Sequence, residues 1–182
     1  MVRLRAQRDT DVEALVALAQ RAWTEVEASI DTVLGSPLDR LVTPSWAAHH
    51  EAVVRDACAA TETTVVVAED DDELVGFVAH RVHPPSGGMS SYGEVVVIGV
   101  DPGARDRGVG RALLDRALAD LRDRGVPVIL AETGGDEGHA PARALYESAG
   151  FTRLPVAQYW LAGTTDAEPM PMRPRPVRPS AS

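Results

Sequence analysis

The chain has 182 residues and a mass of 19.4 kDa, with 45% hydrophobic and 25% charged residues, which fits one folded domain and excludes a chain disordered throughout. Asp and Glu number 27 against 18 basic residues, every one an arginine, for a net charge of −9. That balance argues against nucleic-acid binding, and the missing lysine excludes Schiff-base and P-loop lysine chemistry.

Cys58 is the only cysteine, so neither a disulfide framework nor a clustered thiolate zinc site is expected. The N-terminal residues have no apolar leader run, and nothing approaches the roughly 20 apolar residues that span a bilayer. A cytoplasmic protein without a membrane partner is expected.

Residues Val2 to Ala6 alternate weakly and read as an edge strand. Thr10-Asp11-Val12-Glu13 is a capping box, followed by an apolar stripe of helical period through Leu15, Ala19, Trp23 and Val26. Asp31 to Val42, with Gly35 and Pro37, reads as a loop, and Thr43-Pro44 as the start of a second helix. Thr63 to Glu69 and Leu74 to Val82 read as strands around the acidic turn at 70–73. Glu94 to Val100 is the most apolar run, as expected of a strand covered on both faces. A helix from about Gly108 to Arg124, a strand from Val128 to Glu132, a helix from Ala140 to Ala149 and a strand from Val156 to Leu161 complete the pattern. Residues 1–163 are thus read as one domain. Residues 164–182 hold five of the 13 prolines and read as a disordered or polyproline tail with two PxxP spacings.

Val97 to Leu114 joins a buried strand to a helix through Arg105-Asp106-Arg107-Gly108-Val109-Gly110. Unpaired N–H groups and the dipole at such a helix start suit a phosphate or pyrophosphate, and glycine lets it approach the main chain. A dinucleotide loop fits poorly, because Leu113 stands where G-x-G-x-x-G needs its third glycine. The R-x-x-G-x-G pattern resembles the acetyl-CoA pyrophosphate loop of the GNAT superfamily of N-acyltransferases. Ala142-Arg143-Ala144-Leu145-Tyr146-Glu147-Ser148-Ala149-Gly150-Phe151 resembles that family's A-x-x-L-Y-E-x-x-G-F segment, at the expected distance and on the expected element.

The resemblance implies an α/β (α+β) fold: a mixed, mostly antiparallel, splayed sheet of six to seven strands flanked by about four helices. It implies acetyl-CoA as co-substrate, with its pantetheine arm in the splay beside Ile98, Gly99 and Val100. The pyrophosphate would lie on Arg105, Asp106, Arg107, Gly108, Val109, Gly110 and Arg111, with no metal. The implied reaction is direct attack of a neutral amine on the thioester in a ternary complex. Tyr146 matches the tyrosine that meets the CoA sulfur and protonates the departing thiolate. Glu94 matches a general-base glutamate, and unbroken alternation would put it on one face with Val96, Ile98 and Val100. His139 stands where many relatives have asparagine, open to cofactor contact or helix capping.

Glu132 and Thr133 would border the splay. His49, His50, His80 and His83 include an H-x-x-H pair without a carboxylate cluster. Trp23, Trp46 and Trp160 read as core, although the resemblance implies that Trp23 and Trp46 flank the variable loop of the acceptor pocket, built by Glu27 to Val42 and Val82 to Gly93. The expected acceptor is a small-molecule amine, with the N-terminus or a lysine of a protein as alternative. A non-catalytic acyl-CoA sensor or adaptor is the reading from another class, and a homodimer is left open.

Overall fold

Alternation along strand β2 (Thr63–Asp70) sends Val65 and Val67 to one face and Val66 and Ala68 to the other, and two cores grow from that split. The computed structural model describes residues 2–163. Before β2 lie β1 (Arg3–Ala6), α1 (Val12–Ala22), α2 (Thr24–Leu34), α3 (Ser36–Val42) and α4 (Trp46–Ala59). After it come β3 (Glu73–His83), β4 (Tyr92–Val100), α5 (Val109–Asp123), β5 (Ile129–Ala131) and α6 (Ala140–Ser148). One sheet runs β1-β2-β3-β4-β5, antiparallel except for the parallel β4–β5 pair.

One core joins Val66, Val78 and Val95 to Leu113, Leu114 and Leu121 of α5 and to Tyr146 of α6. The other joins Val65, Val67 and Phe77 to Leu15 and Leu18 of α1 and Val54 of α4. Each fully buried leucine contributes about 1.5–3 kcal/mol by leaving water. On the α1 side Arg5 reaches Asp11 at 2.6 Å and Glu69 at 2.9 Å, tying β1 to β2 and to the start of α1. The Arg5 guanidinium holds the Asp11 carboxyl below the usual carboxylate range.

Three expectations are corrected. Asp31 to Val42 is helical: Gly35, at φ +81°, separates α2 from α3, and Pro37 sits in the first turn of α3, where proline is tolerated. The described residues therefore carry six α-helices instead of about four. The helix expected at Thr43-Pro44 begins at Trp46, capped by Ser45 Oγ accepting from Ala48 N at 3.2 Å. At the first helix, Asp11 replaces the Thr10–Glu13 box, its Oδ2 accepting from Arg8 N at 2.8 Å.

Among the described residues the sheet has five strands instead of six or seven, because Val156 to Leu161 pairs with none of them. Leu154, Val156, Tyr159 and Leu161 are between 78% and 93% exposed, and Trp160 is half-exposed instead of core. Apolar patterning registers a strand's composition but not whether a neighbouring edge exists to receive it. The proline-rich tail at 164–182 lies outside the described residues. Among the described residues no helix is long and apolar enough to cross a membrane.

Candidate active site

Gly108 sets the start of α5. At φ +78° and ψ 5° it takes the left-handed conformation that glycine enters without strain. The first backbone bond runs from Ala112 N to Gly108 O at 3.0 Å, so helix geometry leaves the Val109, Gly110 and Arg111 N–H groups open. A Cβ at Gly110 would make ordinary contacts, at 3.5 Å to Val100 and 3.6 Å to Leu145.

The arginines of this loop are paired with carboxylates. Arg105 reaches Glu25 at 2.7 Å and the Ala22 carbonyl at 2.9 Å. Arg107 pairs with Asp70, and Arg111 with Asp115 at 2.8 Å. Arg105 and Arg111 nevertheless line the cavity with Asp106, whereas Arg107 does not. The open N–H groups of the main chain form the cradle, and the paired arginine side chains brace the loop around it.

Beside the cradle the sheet opens. β4 and β5 pair only from Gly93↔Ile129 to Val95↔Ala131, and beyond that Val96 to Val100 diverge from Glu132 and Thr133. The splay leads into a cavity of about 840 Å³ whose lining includes Ile98, Gly99, Val100, Gly108, Gly110 and Tyr146. Gly99 is required for another reason as well: a Cβ there would lie 2.7 Å from Phe77 on the α1 side.

Tyr146 projects from α6 into the cavity at 7% exposure, with its ring against Phe151. Burial pushes its phenol up to about 12, so it stays protonated at neutral pH. His139 also lines the cavity, its Nδ1 2.7 Å from Asp136 Oδ1, and it makes no side-chain cap on α6.

Glu94 lies elsewhere. A bulge between Ala79 and His80 of β3 leaves Val96 as an extra residue on β4, so Val96 and Val97 both turn toward α1. Ile98 and Val100 then return to the α5 side, opposite Glu94, which corrects the single-face expectation. Glu94 is absent from the cavity lining. Its carboxylate accepts from Arg81 at 2.8 Å and meets His83 at 2.6 Å, and these partners hold it below the usual range despite its burial.

The opposite wall is made of side chains. Trp23, at the end of α1, donates from Nε1 to Ile98 O at 3.3 Å. Trp46, His49, His50 and Val53 line the cavity from one stripe of α4, at the i, i+3, i+4, i+7 spacing of a helix face. Trp23 and Trp46 therefore both line the cavity, and Trp23 packs against the α1–α4 core as well. Behind the lining stand Glu27 on α2, beside His50, and Asp39 on α3, beside Trp46, in the segment expected to build the acceptor pocket but not singled out within it. They lie in the stretch between Trp23 and Trp46, part of it read as loop, and no motif marks them.

The H-x-x-H pair is divided by the sheet: His80 faces Asp120 of α5, whereas His83 faces Glu94. Among the described residues no group of three or more His, Cys, Asp or Glu is placed to hold a metal ion. Burial raises the Cys58 thiol, which packs against the α1–α4 core and suits no nucleophile.

Comparison with known proteins places this geometry. The acetyltransferase (GNAT) family model matches residues 18–151. A mycothiol acetyltransferase from Thermomonospora curvata is 47% identical over 83 residues, 46% of this chain and 26% of that protein. The chain thus aligns with only about a quarter of that relative's length. A GNAT-family acetyltransferase from Desulfovibrio desulfuricans superposes with a TM-score of 0.61 at 25% identity, covering 84% of this chain and 85% of that one. An aminoglycoside N-acetyltransferase, solved with a bisubstrate analogue joining CoA to monomethyl-acetylneamine, gives a TM-score of 0.61 at 18% identity, covering 89% of this chain and 98% of that one.

Proposed function

We propose, for a chain that belongs to the GNAT acetyltransferase family, that it transfers the acetyl group of acetyl-CoA to the amine of a small molecule. The observation that carries this reading is the splay between β4 and β5, which opens beside the free N–H groups of α5 and over the Tyr146 hydroxyl. The Val109, Gly110 and Arg111 N–H groups bind the pyrophosphate, where the helix dipole favours negative charge. The diverging edge of β4 from Val96 to Val100 takes the pantetheine arm, which directs the thioester toward the α1 and α4 wall.

The amine nitrogen attacks the acetyl carbonyl carbon, the C–N bond forms, and the C–S bond breaks. Tyr146, which is protonated at pH 7, gives its proton to the departing thiolate. Two protons leave the ammonium in all. One rebalances the tyrosine and the other is released. Glu94 is assigned to holding Arg81 and His83 at the margin of the sheet, not to direct contact with the amine.

A small-molecule acceptor is favoured by what the similar proteins are named for, mycothiol and aminoglycosides. Protein N-termini and lysines belong in the same assay as competing acceptors. The reading is tested by the melting temperature with and without acetyl-CoA, followed by CoA-thiol release across a panel of amines and peptides. A rise in melting temperature with no thiol released by any acceptor would make the chain an acyl-CoA sensor. Absence of any rise would remove the cofactor assignment.

A further inference from the structure

The wall opposite the thioester holds an imidazole that nothing described so far uses. His50 is 3% exposed and lines the cavity. Its Nδ1 is sealed from solvent without a hydrogen bond, and Glu27 Oε1 stands 3.3 Å away, off the line a bond requires. A buried ring nitrogen left unpaired is costly, and persists where something else repays it. Asp39 repeats the pattern: it is 6% exposed, its Oδ2 accepts from Trp46 Nε1 at 3.2 Å, and its Oδ1 is sealed and unpaired. Trp23 meets the His50 ring edge-on at 4.9 Å, and Trp46 meets it tilted at 5.7 Å.

Aromatic walls, two carboxylates behind them and an imidazole between form a complement to an organic cation. We infer that Trp23, Trp46 and His50 receive a primary ammonium borne on a compact apolar body, and that His50, backed by Glu27, accepts its proton. This rests on the transferase reading above. Glu27 takes the Nδ1–H as the proton arrives, the contact tightening from its unliganded 3.3 Å, which fixes the tautomer that leaves Nε2 basic. Glu27 is therefore a positioning residue, and His50 the group that touches substrate.

Without a bound cation, burial works against charge on both groups. Burial, with His49 beside it, lowers His50 to about 4, while burial and Asp39 raise Glu27. His50 is thus neutral, and able to accept, throughout the range above about pH 5. Moving the proton from ammonium to imidazole leaves the cavity's total charge unchanged, so the desolvation that depresses imidazolium depresses the bound ammonium as well. The charged and titratable groups around the box are Glu25 and Glu27 from α2, Asp39 from α3, His49 from α4 and Glu132 after β5, and the same cavity is lined by Arg105, Asp106, Arg111, His139 and Tyr146. Glu25 is already paired with Arg105.

The experiment uses 2-phenylethylamine and its neutral counterpart 2-phenylethanol on the full chain. Calorimetry is expected to show the amine binding at least about tenfold more tightly than the alcohol, and Trp46→Ala erasing that preference. His50→Gln is expected to lower kcat/KM for the amine by about 10²- to 10⁴-fold at pH 7, with recovery as the pH rises toward the amine's own pKa. Glu27→Gln should give the same pH trend with a smaller loss, about tenfold. The melting rise given by acetyl-CoA should persist in all three variants, which also shows that they fold.

Equal binding of alcohol and amine, or a His50→Gln loss within about threefold with an unchanged pH profile, would overturn the inference. Selective amine binding with no thiol release in the wild type would uphold the cation box and remove the transferase reading instead.

Discussion

The two halves of the cavity are built from different materials. On the donor side, the start of α5 presents main-chain N–H groups, and the one side-chain requirement is that Gly108 and Gly110 have none to speak of. On the acceptor side, the end of α1 and the start of α4 present Trp23, Trp46 and His50, with Glu27 and Asp39 behind them from α2 and α3. A backbone site depends on a few consecutive conformations, and so is written as a short local motif. A side-chain site depends on where separate helices land, and can change its ligand without changing the fold.

That contrast can be broken at four places. The largest effect is expected at Tyr146, where both halves meet: Tyr146→Phe should cut kcat by about 10²- to 10⁴-fold with little change in the KM for acetyl-CoA. Steady-state kinetics at pH 7 decide it, and a fall of under about threefold would take the tyrosine out of the proton path.

Gly110→Val comes next. The helical backbone admits a side chain, whose Cβ would make ordinary contacts at 3.5–3.6 Å, so the unliganded melting temperature should hold. The branched group fills the cradle, and the roughly 2.7 kcal/mol of stabilisation given by acetyl-CoA at a hundred times its Kd should vanish. A retained shift would mean the phosphates lie elsewhere.

Gly138 tests the acceptor side. It meets α2 so closely that a Cβ would lie 2.7 Å from the Glu25 carbonyl and 2.8 Å from Ser29, and its N–H donates to Ser29 Oγ at 2.9 Å. Gly138→Ala should cost about 1–3 kcal/mol in a urea titration, because backbone must yield. It should also raise the KM for the amine while sparing the acetyl-CoA melting shift. An equal loss of both ligands would show that the halves are not separable.

The smallest effect is expected from Glu94→Gln, under about threefold in kcat, since the amide can still accept from Arg81. A loss of two orders that high pH repairs would restore Glu94 as the base and displace His50.

Legibility in the sequence followed the same division. The bounds of β2, β3, β4, α5 and α6 lay within about two residues of those read from periodicity, and the loop at 105–110 was recognised because its conformation is local. The ion pairs of Arg105 and Arg107 were not, since their partners Glu25 and Asp70 lie far away along the chain. The face of Glu94 was not legible either. One bulged residue, Val96, reverses parity, and nothing in Val95-Val96-Val97 marks which valine it is. The α2–α3 pair was hidden by Gly35 and Pro37, residues that break one helix but serve equally well to end one and start another.

Trp23 carries one more consequence. Its indole N–H is spent on the Ile98 carbonyl, on the strand edge that borders the splay, and Trp46 stands across the His50 ring from it. The chain has three tryptophans, and the third, Trp160, sits half in solvent on the unpaired segment after α6. The protein's ultraviolet emission is therefore divided between two reporters inside the cavity and one outside. A Trp160→Phe chain would keep only the inner pair, and quenching of their light would time the arrival of each substrate without an added label.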